Sequence, residues 1–401
     1  YPSVYLHTDG TYRMIYQGFG LAPLSGRFVL SATSTDGVSW NPAQLPGSRP
    51  GNISNCIFVS NQEVGTVFFD ELAPSDQRLK MLLSNASIAA SNEDGLDWHI
   101  VGPWTGVPVD PGYSVFRNPL KSDEVVVTAR PQALRKDGRH AGYHAADSWQ
   151  GLAVETNTRV IPLDDEYSKT DQIYGLPSFA YHGQVVSFVW RYKCLPSAHD
   201  GTCYNGGNVS AELGYSYNSR NWTSFQQGVA PDLFPNVPDS ATAGQVYPST
   251  LVEQGERLVI HASASTHQHG AQQHDWATIL TYELRRDGFV FLQPTDGVDV
   301  GVVTTRPMVW LDGNLTVNLV APTSSPAVRV QIATLSHDST PTPVSGFSFE
   351  ESVGVGGDQV EAEARWSHAT MHDLTGHVIV IMLEVTKGTQ LYSLQGQWKW
   401  Q

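Results

Sequence analysis

The sequence predicts an all-β protein, a five-bladed β-propeller followed by a β-sandwich domain, and three observations predict it. The first is a recurring hairpin. "STDGVSW", ending at Trp40, follows the alternating run "GRFVLSAT", and an Asp-Gly pair between strand-like runs marks a tight turn because glycine accepts the positive φ such a turn needs. Weaker copies appear in "SNEDGLDW" ending at Trp98, "AADSWQ" containing Trp149, "YNSRNW" ending at Trp222, and "RRDGFVF" with Phe289 and Phe291. Their spacing of roughly 50 to 75 residues suits a four-stranded blade with variable loops, and five such units fill about the first 285 residues. The second observation is texture. "EVVVTARP", "QVVSFVWRYK" and "ERLVIHASAS" are rich in β-branched and aromatic residues, are punctuated by Gly, Pro, Asn and Asp, and show no long helical periodicity. The third is a change near Leu284, after which "GNLTVNLVAP", "AVRVQIATL", "HVIVIMLEV" and "TQLYSLQGQWKW" alternate at short spacing without the hairpin, as a compact sandwich does. The expected domains are residues 1–284, the propeller carrying the site, and residues 285–401, a structural or accessory sandwich.

Composition narrows the class. A chain of 401 residues is long enough for two domains and a sizeable core. With 24 basic against 39 acidic side chains and a net charge of −15, a nucleic-acid partner is not expected. No run approaches the length of a membrane span, so no membrane partner is expected either, and no secretory leader is visible. The chain opens at "YPSVYLHT", already inside a strand-like segment, and an upstream part is expected to have been processed away or left out. Cys194 and Cys203 bracket "LPSAHDGT", a loop short enough for one bridge, which leaves Cys56 as a small buried residue. Sequons stand at Asn52, Asn85, Asn208, Asn221 and Asn314. Together these features point to a secreted, extracellular glycoprotein.

The repeat also locates a site. If the leading strand of each unit is innermost, its first residues lie at one rim of the channel, and the antiparallel strand that follows ends at the same rim. Strand starts then supply Asn55, Asp110, Asp171 and Gln245. Strand ends supply Asp70 and Glu71, Arg130, Arg191 and the pair His267 and His269. Carboxylates clustered beside cations are what glycoside hydrolysis requires: one acid protonates the leaving oxygen, a second carboxylate acts opposite, and neighbours push their pKa values apart. Every one of these residues also has a purely architectural reading. Asp110 precedes Pro-Gly as turn initiators do, Asp171 fits a solvated loop, the Asp70-Glu71 pair fits a strand end before a proline loop, and arginines ending apolar strands can simply snorkel. The repeat tryptophans read as packing between blades. Tyr174 and Trp190, nearer the rim, are the candidates for stacking on a sugar ring. "THQHGAQQHD" matches no zinc spacing and reads as a polar loop over the site. No cofactor is therefore expected, with room only for a single structural calcium.

The succession "FFDELAPSDQRLKML", "SNEDGLDW", "DPGYSVF", "DQIYG", "AELGYSYNSRNW" and "ELRRDGFVFL", leading into "TTRPMVW", "LTVNLVAP", "VRVQI", "GFSFEES" and "LYSLQ", resembles the five-bladed propeller proteins of glycoside hydrolase families 32, 43 and 68, with their trailing β-sandwich. The resemblance implies a glycosidase acting on furanosides or related sugars through a pair or trio of carboxylates at the propeller mouth. In those families the first essential aspartate comes from the first inner strand, yet "YPSV" supplies none. That acid is expected upstream, or the set is redistributed to Asp70, Glu71, Asp110 and Asp171. The expected activity is hydrolysis of a furanoside or related, acidic sugar within an oligo- or polysaccharide. Asp110 and Asp171 lead, Asp70 or Glu71 is third, and Arg130 and Arg191 hold the substrate. A lyase acting on a uronate and a non-catalytic glycan-binding protein are the rival readings.

Overall fold

The computed structural model describes residues 1–20, 26–47, 50–59, 64–83, 87–104, 109–131, 139–149, 151–152, 170–195, 206–224, 232–271, 277–322, 326–336 and 339–400. Among them are β-strands and short 3-10 turns but no α-helix, so none could cross a membrane as a long apolar helix. The chain divides into two compact units, residues 1–252 with 259–283, and residues 253–258 with 284–401.

Sheets of the first unit follow chain order. The first holds β1 (Ser3–Leu6), β2 (Tyr12–Gly20), β3 (Gly26–Ser34), β4 (Asn41–Pro42) and β5 (Cys56–Val59). The second is β6 (Val64–Phe69), β7 (Leu79–Leu83), β8 (Ser87–Ser91) and β9 (His99–Pro103), and the third β10 (Val109–Asn118), β11 (Lys121–Pro131) and β12 (Gly142–Ala146). A nine-stranded sheet follows, with β13 (Asp171–Gly175), β14 (Ser178–Tyr181), β15 (Gln184–Cys194), β16 (Gly207–Ser216), β17 (Thr223–Ser224), β18 (Gln245–Pro248), β19 (Val252–Gln254), β20 (Arg257–Ser265) and β21 (Ala277–Arg285). One parallel bridge, Val209 to Gln245, joins its two halves.

Each group of strands touches the next. Val67 N donates to Ser3 Oγ at 2.6 Å, the Phe68 and Trp149 rings lie 5.2 Å apart, and Ser178 N donates to Ser114 Oγ at 2.7 Å. The last strands return to the first: Ser249 Oγ donates to Pro2 O at 2.5 Å, and Val252 and Val259 share a buried cluster with Val4 and Met14. The recurring tryptophans fill these seams. Trp98 packs with Ile15 and Val29 of the first sheet, Trp149 with Leu82 and Ile88 of the second, and Trp222 with Phe116 and Val126 of the third. A buried tryptophan removes roughly 200 Å² from water, worth about 5 kcal/mol before ordering entropy is counted.

One strand departs from the expected plan. Asn55, expected to start the leading strand of the second repeat, instead directly precedes β5, which pairs with β3 of the first sheet, and β6 adjoins β1 and β10, the leading strands on either side. The physical reason is that both apolar runs read equally as strands, and β3 offers β5 an open edge.

In the second unit β23 (Met308–Val320) pairs with β26 (Asp358–Glu363) and β28 (Gln390–Trp400), while β27 (Val378–Thr386) pairs with β22 (Val300–Thr304) and β24 (Val328–Leu335), which carries β25 (Pro341–Pro343). Both groups supply the same core, with Trp310, Val317 and Leu391 from one and Val330, Ile332 and Ile381 from the other.

Candidate active site at the strand starts

The ladders bring strand starts and strand ends together. Asp110 stands opposite Arg130, Asp171 opposite Lys193, Gln172 opposite Tyr192, and Gln245 opposite Ser265. The side chain of Asp110 lies outside the described residues. Alternation along β13 and β15 then sorts the rest onto two faces of one sheet. Tyr174, Trp190 and Tyr192 share one face through ring contacts, and Asp171 and Arg191 share the other through an ion pair.

The first face is cationic and aromatic. The Arg130 guanidinium lies 4.2 Å from the Tyr174 ring centroid, and that of Arg139 lies 4.8 Å from Tyr192 and 5.7 Å from Tyr174. Both arginines are buried. Arg139 Nη1 donates to Gln172 Oε1 at 3.1 Å. The Tyr174 hydroxyl and His269 Nε2 are 2.9 Å apart. His269 is itself fixed by its backbone, whose N–H donates to Gly207 O at 2.9 Å while its carbonyl accepts from Gly206 N at 2.8 Å. Burial pushes the Tyr247 phenol well above its ordinary value, Tyr174 adding to the rise and Arg130 opposing it, and burial also raises Tyr192. Both are therefore neutral donors at physiological pH.

Three expected binding residues have other duties here. Trp190 is wholly buried, its Nε1 donating to Pro248 O at 2.9 Å and its ring stacked on Tyr1 at 5.0 Å, so it offers no open face to a sugar. Gln245 donates to His267 O at 2.8 Å and accepts from the Tyr247 hydroxyl, which spends its amide on holding the 265–269 turn. The backbone carbonyl of His267 is that acceptor.

The second face is a buried ion triad. Arg191 Nη2 meets Asp171 Oδ2 at 2.7 Å and its Nε meets Glu212 Oε1 at 3.2 Å. Glu212 also accepts a hydrogen bond from the Ser224 hydroxyl. Burial raises the Glu212 carboxyl, and Arg191 only partly opposes the rise. Asp171 is different. Its side chain is 21% exposed, and its Oδ1 has no hydrogen-bond partner among the described residues, which leaves one oxygen uncommitted.

Asp70, Glu71 and Asn55 do not join this group. Asp70 is buried and accepts from Arg117 Nη2 at 2.8 Å, Trp149 Nε1 at 2.9 Å and Lys80 Nζ at 3.1 Å. Arg117 lies near the end of β10 and Asp110 near its start, and at about 3.3 Å per residue the intervening stretch spans roughly 20 Å. Because β6 leads its sheet, its last residues lie at the opposite end of the strands, and Asp70 is an architectural anchor there. Glu71, beside it, is exposed. Asn55 bonds Ser31 O at 3.0 Å and Tyr16 Oη at 3.3 Å inside the first sheet. Sequence reasoning in turn missed Arg139, Tyr192, Tyr247 and Glu212. Tyr192 and Tyr247 each stand two residues beyond a singled-out residue on the same face, a signal that alternation carries. Arg139 comes from a connection with no such period. Cys56 is a buried thiol whose Sγ lies 3.3 Å from Phe58 O, whereas Cys203 lies outside the described residues, as does the sequon asparagine Asn85.

No protein-family model matches the chain, and no curated protein matches it. Among solved structures it is similar to a glycosyl hydrolase from Bacteroides ovatus, with 11% identity over 70% of this chain and 83% of that one at a TM-score of 0.46. It is similar to a GH130 glycoside hydrolase that targets β-1,2 mannosidic linkages in Candida mannan, with 14% identity over 70% and 83% of the two chains at 0.44. It is also similar to a Bombyx mori GH32 β-fructofuranosidase, with 11% identity over 98% and 90% at 0.40. These structural neighbours are glycoside hydrolases; at such low scores the chemistry of the site rests on its own residues.

Proposed function

We propose that the chain is a secreted glycoside hydrolase that cleaves a furanoside or related sugar bearing a carboxylate, at the mouth of a five-bladed propeller formed by its first unit, with the sandwich as accessory. The observation that carries this reading is the pair of buried guanidiniums, Arg130 and Arg139, set over Tyr174 and Tyr192 within one strand of Asp171. Two planar cations suit bidentate recognition of a sugar carboxylate, and Asp171, at the start of the same strand as Tyr174 but on its other face, keeps one buried oxygen without a partner among the described residues. Asp110, opposite Arg130 in the ladder, supplies the second carboxyl. One of the two protonates the leaving glycosidic oxygen, and the other attacks the anomeric carbon or activates water there, depending on whether they stand about 5 Å or roughly 6.5–9.5 Å apart. Arg191 positions Asp171 rather than meeting the sugar. The propeller is supported by the contacts that run from sheet to sheet and from the last strands back to the first. Secretion is supported by the exposed sequons Asn221 and Asn314. No cofactor enters the scheme.

The test is a screen of aryl-furanosides, aryl-uronides and polysaccharides, read by reducing ends, with Asp110→Asn and Asp171→Asn beside the parent. Both variants should fold and lose turnover by 10³-fold or more; parental rates in both would remove the carboxylates from the mechanism. A second reading has its own observation, the Tyr174–His269 bond beside two arginines. In a uronate lyase that pair would take the proton α to the carboxylate while the C–O bond breaks and a C=C bond forms. Ultraviolet absorbance from unsaturated products, abolished by Tyr174→Phe, would select that reading over hydrolysis.

A further inference from the structure

A cavity of about 340 Å³ is walled in part by Lys193, which alternation puts on the Arg191 face of β15, and it is not used by the chemistry above. Its size is at the lower end of small-molecule sites, which run roughly from 300 to 1,000 Å³. Its polar lining comes from Lys193, Asn208, Asp232, Asn236 and Gln268, and Leu195 and Pro235 supply apolar surface. Lys193 follows Tyr192 directly in β15, and Gln268 precedes His269. Gly207 belongs to the wall and exchanges backbone bonds with His269. This close approach needs glycine: its φ is +107°, and a Cβ there would come within 2.2 Å of Lys193 O. Cavity and imidazole therefore share one stretch of rigid backbone.

We infer that this cavity is a subsite for a neutral glycosyl unit next to the one cleaved, an inference that rests on the carbohydrate reading of the neighbouring site. Three features select that ligand. The charges cancel, since Lys193 Nζ lies 3.5 Å from Asp232 Oδ2, unlike the arginine-rich cluster on the other face of β15. The wall offers both donors and acceptors from Lys193, Asn208, Asp232 and Gln268, which suit sugar hydroxyls, while Leu195, 58% exposed, offers a surface for the C–H face of a ring. Finally, Asn208 Oδ1 is buried with no hydrogen-bond partner among the described residues. Such a group is costly to leave unmet, and a sugar hydroxyl would satisfy it. Asn236 does not compete for the ligand, because its amide already donates to Val209 O and Thr242 O at 2.9 Å each.

The experiment uses the whole chain and two exposed positions, Lys193→Ala and Gln268→Ala, whose loss should not disturb folding. Calorimetric titrations with arabinopentaose, xylopentaose and mannopentaose are run beside turnover of an aryl monoglycoside. The expected result is that one pentasaccharide binds the parent and binds the double variant about tenfold or more weakly, with monoglycoside kcat and KM unchanged. Absence of binding by the parent, or equal binding by parent and variant, would overturn the subsite. If a pentasaccharide binds through Lys193 and Gln268 but nothing is cleaved, the subsite stands and the hydrolase reading falls. If aryl monoglycosides are cleaved but no pentasaccharide binds, the reverse holds.

Discussion

Asp70 and Asp171 are both aspartates beside an arginine, and the difference between them lies in what the remaining oxygen does. Asp70 accepts from Arg117, Trp149 and Lys80 through both oxygens, whereas Asp171 leaves Oδ1 without a partner among the described residues. Burial alone would raise the Asp70 carboxyl, but Arg117, Trp149 and Lys80 outweigh it and hold the group below its usual range. A carboxyl depressed in the fold contributes stability that is present above its unfolded pKa and is lost as pH falls through the folded value. Asp70→Asn should therefore cost about 3 kcal/mol, because it strands the buried Lys80 and the half-buried Arg117, and should shallow the acid limb. Urea denaturation at neutral and acid pH measures both; an unchanged midpoint would mean that the ion cluster carries no weight. Arg130 and Arg191 were legible in the sequence as residues ending strands. Their different duties were not, because they sit on opposite faces, where one meets a ring and the other two carboxylates.

The hairpin at Ser34–Trp40 shows how much one element can be read from its letters. Asp36 Oδ1 accepts from Val38 N at 2.8 Å and Ser39 N at 2.7 Å, Ser34 Oγ accepts from Gly37 N at 2.8 Å, and Gly37 takes φ +74°. These bonds hold the Asp36 carboxyl well below its ordinary range. Gly37→Ala would force a side chain into a left-handed conformation with its Cβ 3.2 Å from the Tyr12 ring. A loss of about 1–3 kcal/mol in chemical denaturation is expected; a neutral outcome would show that the turn relaxes. Trp222→Ala should cost more, about 3–5 kcal/mol, since it empties the seam shared with Phe116 and Val126. The second sheet marks the limit of this legibility. Two consecutive apolar strands stood for one position, and taking the wrong one as leader put Asp70 and Glu71 at the wrong end of the strands.

At the scale of the first unit, the seam between its last and first strands holds a titratable group. His261 is fully buried; its Nε2 donates to Gly37 O at 2.9 Å and its Nδ1 faces the Thr250 hydroxyl at 3.2 Å. Burial lowers its pKa, with the bond to Gly37 opposing. The fold thus keeps the imidazole neutral while the unfolded chain protonates near pH 6.5, so the unfolded state binds more protons and stability falls as pH drops below about 6.5. Thermal melts between pH 7.5 and 5.5 should show this slope, and His261→Gln should flatten it even if the variant melts lower at every pH. A slope unaltered in the variant would assign the acid sensitivity elsewhere.

Local chemistry written in the sequence was sufficient for the all-β class, the turn at Asp36-Gly37, the tryptophans that fill seams, and the meeting of strand starts with strand ends. Each depends on a period of two, a positive φ or an antiparallel return, which neighbouring residues dictate. Tertiary structure alone decided which strand leads the second sheet, which arginine faces aromatic rings, and that Arg139 and Glu212 belong to the site. Those outcomes depend on which edge each strand finds and which face it buries, and contacts between residues far apart in the chain settle both.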